Sequence, residues 1–383
     1  MRSLCRVHLN WDSFRSNLRL LRYISPDLMP VIKADAYGHG ARRAARELET
    51  EGVGWAAAGT LEEAAAIRDA GFSGRIVILL SCLRGADDVD RCMRSGLLPL
   101  AHRWEDLRLI HDAMGSRGGT LSIAFKVETG MNRLGFPPEE IARAARYMAD
   151  SGRMRPEMLI SHLSAADDPG EDAFTRHQCS IFWKSAAILR EYFPGMLCSL
   201  NNTAGLLRRE SSREEICRPG LALYGYNPLH GTSEEERGRG LLPVMSVSAP
   251  LISTHVLRKG ESLGYGRAYI ADSDRLIGWA AIGYADGYRR SEDPGRCMCL
   301  RGVRAPVIGR VAMQMTCLDL SSLPFTPMTG EDVFALGGPG DAVTAQEIAQ
   351  WWGTIPYEVT CDLSRNPLAE SDPPEVTACP AMS

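Results

Sequence analysis

The chain has 383 residues, of which 45% are hydrophobic and 23% charged, and its formal net charge is −4. This composition is typical of a globular protein of two or three domains, and the absence of a basic block argues against a nucleic-acid partner. The apolar runs are too short to span a membrane, the N-terminus lacks a signal-peptide core, and eleven scattered cysteines predict reduced thiols in a cytoplasmic protein without a metal site.

Alternating helix and strand patterns run through the first 236 residues. Phe14, Leu18 and Leu21 fall at helical spacing, and Thr60 with Glu63 forms a capping box for a later helix. The candidate strands are the apolar runs at residues 28–32, 54–58, 75–80, 97–101, 121–127, 158–162, 196–200 and 216–223. Eight strands separated by helices favour a closed parallel (β/α)8 TIM-type barrel, an α/β fold, over residues 1–236.

The pattern changes after residue 236. Strand-like alternation covers residues 244–257 and recurs at residues 277–282, 298–311 and 333–336. Thr344 and Glu347 form a capping box for the single clear helix of this part, which Gly353 ends. We therefore predict a mostly β domain over residues 237–372 and a disordered tail over residues 373–383.

Lys33 stands at the end of the first candidate strand, before the string ADAYGHG at residues 34–40. A charged lysine without a partner at a buried strand end is costly. Burial lowers the pKa of a lysine, and a neutral amine is a nucleophile that can form a Schiff base. The ordinary alternative is a lysine that extends its ammonium group into solvent.

Polar residues also follow four later strands, at the end where a parallel barrel carries its active site. They are Lys126 with Glu128 and Arg133, then His162, then Asn202 with Thr203, and finally Arg218 with Gly220. Any one of them alone would more often be a solvated loop residue or a structural ion-pair partner. Their shared position at one end of the barrel predicts a common site.

Segments along nearly the whole chain resemble motifs of the alanine racemase family. The strongest matches are VIKADAYGHG at residues 31–40, KVETGMNRLG at 126–135, RPGLALYG at 218–225, GYG at 264–266 and GYADGY at 283–288. The others are SH at residues 161–162, NTA at 202–204 and YEV at 357–359. The resemblance implies a pyridoxal 5'-phosphate enzyme that racemises a small amino acid, with a barrel followed by a β domain.

The resemblance also implies catalytic roles. Lys33 would hold the cofactor and remove the α-proton of the D-isomer, while Tyr265 would act on the L-isomer from the opposite face. Arg218 would lie beside the pyridine nitrogen and keep it unprotonated, which favours proton transfer over transamination or decarboxylation. His162, unless it is only a structural histidine, would link Arg218 to the tyrosine within a cationic neighbourhood. The other implied cofactor contacts are Tyr37, Asn202, Thr203, Gly220, Leu221 and Tyr357.

Substrate contacts and assembly follow from the same resemblance. Arg133 and the backbone at Met313 would meet the substrate carboxylate, and Tyr284 would narrow the entrance. Lys126 is carbamylated in some members of the family. Tyr265 would reach the barrel of a partner subunit, so the resemblance implies a homodimer with shared sites, with neither nucleic acid nor membrane as a partner.

The chain departs from the family pattern near the substrate. Glu128 stands where aspartate is usual, Gln314 and Met315 replace the usual aspartate and glutamine after Met313, and a C-terminal Arg-x-Pro-Arg string is reduced to RNPL at residues 365–368. The expected reaction is interconversion of L-alanine and D-alanine, supplying D-alanine for cell-wall peptidoglycan. A racemase for serine, lysine or a broader set of amino acids remains open.

Two other classes of pyridoxal-phosphate protein share the barrel. Barrel-type amino acid decarboxylases generally place an acidic residue at the pyridine nitrogen, and Arg218 argues against that class. Single-domain pyridoxal-phosphate carriers lack the β domain, and with it a counterpart of Tyr265.

Overall fold

The computed structural model describes residues 3–80, 83–208 and 215–369, which form two compact units. The barrel unit comprises Phe14–Ala36 and Gly40–Leu242, and the β unit comprises the described parts of Met1–Ser13, Tyr37–His39 and Pro243–Ser383. The first residues of the chain therefore group with the β unit. The predicted tail over residues 373–383 lies outside the described residues.

The barrel unit is built on six parallel strands that pair in chain order. Apart from β1 (Arg6–Leu9), which belongs to the β unit, the strands are β2 (Trp55–Ala58), β3 (Arg75–Ile78), β4 (Leu97–Ala101), β5 (Leu121–Lys126), β6 (Met154–Ile160) and β7 (Leu197–Ser199). The helices are α1 (Trp11–Ile24), α2 (Lys33–Gly38), α3 (Ala41–Thr50), α4 (Leu61–Asp69), α5 (Ala86–Ser95), α6 (Trp104–Gly115), α7 (Ile141–Ser151), α8 (Asp172–Tyr192) and α9 (Thr203–Arg208). Shorter 3₁₀ helices cover Pro138–Glu140, Pro169–Glu171, Leu221–Tyr224 and Glu235–Gly238.

Two segments, residues 28–32 and 215–219, close the ring without forming regular strands. Parallel bridges join Val31 to Ala57, Leu28 to Cys217, and Cys198 to Glu215. Pro30 and Pro219 have no N–H to donate, so these segments pair through isolated bonds. The predicted parallel barrel is confirmed, with its first and eighth strands reduced to bridges.

The predicted helix signals of the barrel unit are confirmed. Phe14, Leu18 and Leu21 on α1 are completely buried. The Thr60 hydroxyl accepts a hydrogen bond from the Glu63 N–H, and the Glu63 carboxylate accepts one from the Thr60 N–H, which completes the capping box. Each helix packs its apolar residues against the sheet. The polar residues that can bind a ligand or react therefore lie at the strand ends.

The β unit is an antiparallel sheet with strand order β1-β8-β11-β14-β13-β12-β15, in which β15 also pairs with β8. Its later strands are β8 (Met245–Leu257), β9 (Ser262–Leu263), β10 (Tyr269–Ile270), β11 (Arg275–Ala280), β12 (Cys297–Leu300), β13 (Val303–Ile308), β14 (Thr316–Asp319) and β15 (Asp332–Leu336). The helices are α10 (Ala345–Trp352) and α11 (Pro356–Leu363). Strands β9 and β10 form a separate hairpin.

The β unit differs from the sequence-based prediction in two places. The strand predicted over residues 298–311 is a hairpin, because Arg301 and Gly302 turn the chain with positive φ values of 48° and 81°. The prediction of a single helix is wrong, since α11 follows α10 and carries Tyr357. In α11, Pro356 occupies the first helical position, where its fixed φ suits a helix start.

Candidate active site

The barrel unit brings the polar residues predicted from the sequence to the carboxyl ends of its strands. In chain order these ends carry Lys33, Lys126, His162, Asn202 with Thr203, and Arg218. Burial lowers the pKa of His162 well below its usual range, and so do four nearby cations, Arg218, Arg133, Lys126 and Lys33. The strand ends therefore form one strongly positive site.

Arg218 is buried and is held by backbone carbonyls at the strand ends. Its Nη1 donates to the Ser199 carbonyl at 2.6 Å and to the Ser199 hydroxyl at 2.7 Å. Its Nη2 donates to the Ser161 carbonyl and to the Leu200 carbonyl, the latter at 3.2 Å. Burial lowers the pKa of Arg218 to about 10, so it remains a cation at neutral pH.

His162 is neutral in this environment, and its tautomer follows from its neighbour. Arg218 Nη2 lies 3.3 Å from His162 Nδ1. Because a guanidinium only donates, Nδ1 accepts and the ring proton sits on Nε2. This contact joins the two residues that the resemblance places in one cationic neighbourhood, and the positive charge of that neighbourhood is carried by Arg218.

Lys126 ends β5 with its side chain buried. Burial, together with the positive charges of Arg218 and Arg133 and against the opposing charge of Glu128, lowers its pKa to about 8. A substantial fraction of this lysine is therefore neutral near physiological pH. Such an amine is a nucleophile.

Glu128 holds the loop that carries Arg133 through hydrogen bonds to its backbone. Its carboxylate accepts hydrogen bonds from the N–H of Gly130 at 2.5 Å and of Arg133 at 3.2 Å. Burial alone would raise the pKa of Glu128, but these backbone donors lower it, so the residue is an anion. A Cβ at Gly135 would lie 2.5 Å from the Glu128 nitrogen, and only glycine fits there.

The turn that begins at Lys33 is a single turn of left-handed helix. Ala34, Asp35, Ala36 and Tyr37 have φ values of 50°, 52°, 56° and 55°. Each non-glycine residue in this region costs about 1–2 kcal/mol, and the region is normally visited by single residues. Strain of this kind is typical of functional sites, and here it follows immediately after the predicted cofactor lysine.

The loops after β7 and residue 219 are bonded to each other. The Gly220 N–H donates to the Thr203 hydroxyl oxygen at 2.9 Å. The Asn202 amide donates to the Leu163 carbonyl at 3.0 Å and accepts from the Gly205 N–H at 3.1 Å, so it caps α9. Within the described parts of the chain, the N–H of Leu221 has no acceptor.

Gln178 is a site residue that the sequence did not reveal. It is completely buried on α8, and its Nε2 donates to the Thr129 hydroxyl at 3.2 Å and to the His162 carbonyl at 3.1 Å. Its Oε1 accepts from the Ser164 N–H at 3.0 Å, and the Thr129 and Ser161 hydroxyls are 2.8 Å apart. This amide therefore ties the loop after β5 to the loop after β6.

In the β unit, Tyr37 and Tyr357 pack against each other. Their ring centroids are 5.5 Å apart. Burial raises the pKa of Tyr37, as do the neighbouring Tyr357 and Cys361, so its hydroxyl keeps its proton. Two predicted phosphate ligands are thus paired, with the Tyr37 hydroxyl held as a donor.

Tyr265 lies on an exposed turn of the β unit. Its side chain is 70% exposed, and its neighbours Gly264 and Gly266 have φ values of 64° and 69°. The positive φ values of the two glycines turn the backbone on both sides of the tyrosine. The ring is therefore presented at the surface rather than packed in a core.

Met313 and Tyr284 belong to two loops of the β unit that bond to each other. The Ala285 N–H donates to the Met313 carbonyl at 2.9 Å, and the Tyr284 N–H donates to the Ala312 carbonyl at 3.2 Å. A Cβ at Gly283 would meet the Ala312 carbonyl oxygen and would lie 2.6 Å from the Met313 carbonyl carbon. The two loops are thus fixed relative to each other at close range.

The donor set of the barrel unit fits pyridoxal phosphate. Among the residues that the structure describes, the Nε–H of the buried Arg218 has no acceptor, although both terminal nitrogens do. An unprotonated pyridine nitrogen is an acceptor that would satisfy it. The Thr203 hydroxyl and the Leu221 N–H can serve as donors to a phosphate at the neighbouring loop.

No group of three or more His, Cys, Asp or Glu suitable for a metal ion occurs in the described part of the chain. In that part, no helix is both long and apolar enough to cross a membrane.

Comparisons with known proteins point to one family. The alanine racemase N-terminal domain family matches residues 9–228, and the alanine racemase C-terminal domain family matches residues 244–369. The alanine racemase of Nitratidesulfovibrio vulgaris strain Miyazaki F is 41% identical over 361 residues, covering 94% of this chain and 96% of that protein.

Solved structures agree with this match. The biosynthetic alanine racemase from Pseudomonas aeruginosa aligns with a TM-score of 0.83 at 32% identity, covering 96% of this chain and 99% of that one. An alanine racemase from Bartonella henselae with covalently bound pyridoxal phosphate has the same fold, with a TM-score of 0.83 at 23% identity over 95% of this chain and 99% of that one.

Proposed function

Because this chain belongs to the alanine racemase family, we propose that it interconverts L-alanine and D-alanine with pyridoxal phosphate as its cofactor. Family membership makes the protein an isomerase of the racemase class. The observation that carries the cofactor assignment is the buried Arg218, whose unpaired Nε–H suits an unprotonated pyridine nitrogen.

Lys33 and Tyr265 are the proposed acid–base pair. When bound, pyridoxal phosphate acidifies the Cα–H of the amino acid joined to it. Lys33, which attaches the cofactor in the resting enzyme, removes the proton of the D-isomer, and Tyr265 removes that of the L-isomer. In each direction one residue removes the proton from its own face, and the other, which starts protonated, delivers a proton to the opposite face, so both directions use the same pair.

Arg218 and His162 control the proton chemistry. Arg218 keeps the pyridine nitrogen unprotonated and thereby disfavours transamination and decarboxylation. His162 accepts from Arg218 at Nδ1 and offers its Nε2–H to the phenol oxygen of Tyr265. This donor, together with the positive charge of Arg218, favours the phenolate that Tyr265 needs to act as a base.

Arg133 binds the substrate carboxylate, and Glu128 positions its backbone. Lys126, with its pKa of about 8, has the neutral amine that carbamylation by CO2 requires, and the resulting anion would lie among the cations of the site. Carbamylated Lys126 then orients Arg133. The backbone at Met313 contributes the second carboxylate contact, and Tyr284 limits the side chain to a small group.

Phosphate binding uses hydroxyl and backbone donors. Tyr37, Tyr357 and Thr203 supply hydroxyls, and Gly220 with Leu221 supplies the turn that approaches the phosphate. The high pKa of Tyr37 supports this role because its hydroxyl stays a donor. Asn202 holds the adjoining loop through its bonds to Leu163 and Gly205.

The proposed assembly is a homodimer in which Tyr265 of each chain completes the site of the partner. The exposure of Tyr265, at 70%, supports this arrangement. We place the enzyme in the cytoplasm, where thiols stay reduced and where D-alanine is made for peptidoglycan. A racemase for serine, lysine or a broader set is the second candidate, because Gln314 and Met315 border the substrate.

The first test concerns the cofactor lysine. The purified chain should be yellow, and borohydride should fix the cofactor to the peptide that contains Lys33. A protein that stays colourless with added pyridoxal phosphate, or a label on another lysine, would contradict the assignment. A panel of L-amino acids followed by loss of optical rotation separates alanine from serine and lysine as substrate.

The second test concerns the shared site. Lys33→Ala and Tyr265→Ala chains should each be nearly inactive, whereas a mixed dimer has one site with both residues intact. Mixing should therefore restore part of the activity. If subunits exchange and no activity returns, the two residues act within one chain and the shared site is wrong.

A further inference from the structure

Glu63 connects the turn after Lys33 to the end of strand β2. Its Oε1 accepts a hydrogen bond from the Ala34 N–H at 2.9 Å, and its Oε2 accepts one from the Gly59 N–H at 2.7 Å. The capping box with Thr60 explains a glutamate at the third position of α4, but it does not require the bond to Ala34. That bond gives the carboxylate a second role.

The far end of the same turn is also held by a carboxylate. Asp35 Oδ1 accepts from the Ala41 N–H at 2.7 Å, and the Asp35 carbonyl accepts from the Gly40 N–H at 2.8 Å. These bonds fix the exit of the turn at the start of α3. Both ends of the left-handed turn are therefore anchored to right-handed helices.

The turn depends on these hydrogen bonds because its left-handed backbone conformation is unfavourable for residues other than glycine. Each of its four non-glycine residues would be more stable in the right-handed region. We propose that Glu63 is a positioning residue that keeps Ala34 in the left-handed form and thereby fixes where the Lys33 amine lies. The inference rests on the proposed function for Lys33 as the cofactor lysine and base.

The space around Gly59 supports this role. A Cβ at this position would lie 2.7 Å from Glu63 Oε2 and 3.4 Å from Lys33 Cβ. Only a glycine lets the carboxylate and the lysine stem pass this close to the end of β2. Gly59→Ala should therefore displace Glu63 without changing its charge.

The test compares Glu63→Gln with Glu62→Gln in the full-length purified enzyme. Both remove one negative charge from the first turn of α4, but Glu62 is exposed and its carboxylate lies 3.6 Å from Arg91. A hydrogen bond to a charged acceptor contributes enough that its loss should speed amide exchange about tenfold or more. We expect that acceleration in the peptide covering residues 31–41 for Glu63→Gln, and none for Glu62→Gln.

Isotope effects separate positioning from general loosening. With Lys33 displaced, its proton transfer becomes more rate-limiting, so the Cα deuterium isotope effect should grow more with D-alanine as substrate than with L-alanine. Gly59→Ala should reproduce both results if Glu63→Gln folds poorly. Faster exchange with isotope effects unchanged in both directions would overturn the positioning role, as would exchange equal to that of Glu62→Gln. Failure of borohydride to label Lys33 would instead refute the proposed function.

Discussion

Replacing Ala34 by glycine should stabilise the protein, although glycine usually destabilises a helix. Ala34 lies at φ 50° in the left-handed turn, and its side chain is exposed, so its methyl group contributes little packing. The left-handed region costs a non-glycine residue about 1–2 kcal/mol. Glycine removes this cost but adds roughly 0.4–1 kcal/mol of unfolded-state entropy. The net gain is ~0–1.5 kcal/mol.

The matched control is Ala66→Gly in the middle of α4, which is a right-handed helix. There glycine gains nothing from φ and should cost about 0.5–1 kcal/mol. For a chain of this length Ala34→Gly should raise Tm by up to ~2 °C, and Ala66→Gly should lower it by roughly 1 °C. Differential scanning calorimetry of the purified proteins measures both shifts.

The sign of the Ala34 shift decides the outcome. If Ala34→Gly lowers Tm as much as Ala66→Gly does, the turn after Lys33 is not strained in the way the φ values imply. Positioning of Lys33 by Glu63 would then lose its physical basis. A higher Tm for Ala34→Gly together with a lower Tm for Ala66→Gly supports both the strain in the turn and the positioning role of Glu63.

Three further predictions concern charge and space at the site. Lys126 as a free amine has a folded pKa of about 8 against an ordinary 10.5, so the cofactor-free, uncarbamylated protein should gain stability between these pH values, where the unfolded state binds more protons. Lys126→Met should be more stable than the wild type at pH 7 by up to ~3 kcal/mol, and this advantage should vanish by about pH 10.5. A difference between the two urea midpoints that stays the same at every pH would contradict this prediction. Arg218→Glu should destabilise by ~3–5 kcal/mol in thermal unfolding and raise transamination in the protein that still folds; wild-type stability would show that the carbonyl contacts matter little. Gly283→Ala should push the Met313 loop away and raise KM about tenfold with a smaller change in kcat, whereas Gly195→Ala, at an open position, should change neither; equal kinetics for both would refute this reading of the loop.

The strand ends were predictable because hydrophobic runs followed by charged residues mark both the barrel and its active end. Lys126 and Arg218 are found this way without knowing the packing. The capping boxes at Thr60 and Thr344 are equally local, since the side chains that satisfy the helix ends lie three residues apart.

Other features depend on contacts that no local pattern encodes. The left-handed turn consists of ordinary residues such as Ala34 and Ala36, whose φ signs are imposed by bonds to distant groups. Gln178 contacts a loop 49 positions away, and nothing in the sequence of α8 distinguishes it from a helix surface residue. The neutral state of His162 depends on burial and on four cations that come from three strand ends, so it needs the assembled site.

The bonding of Arg218 also bears on how the reaction type is inherited. Arg218, which we propose selects proton transfer, also donates hydrogen bonds to the carbonyls of Ser161, Ser199 and Leu200. An acidic replacement, which could open a route to another pyridoxal chemistry, would leave those carbonyls without donors in a buried ring. Such variants would be lost because they fold poorly, whatever new activity they carry. The requirement for a stable barrel therefore preserves the racemase reaction.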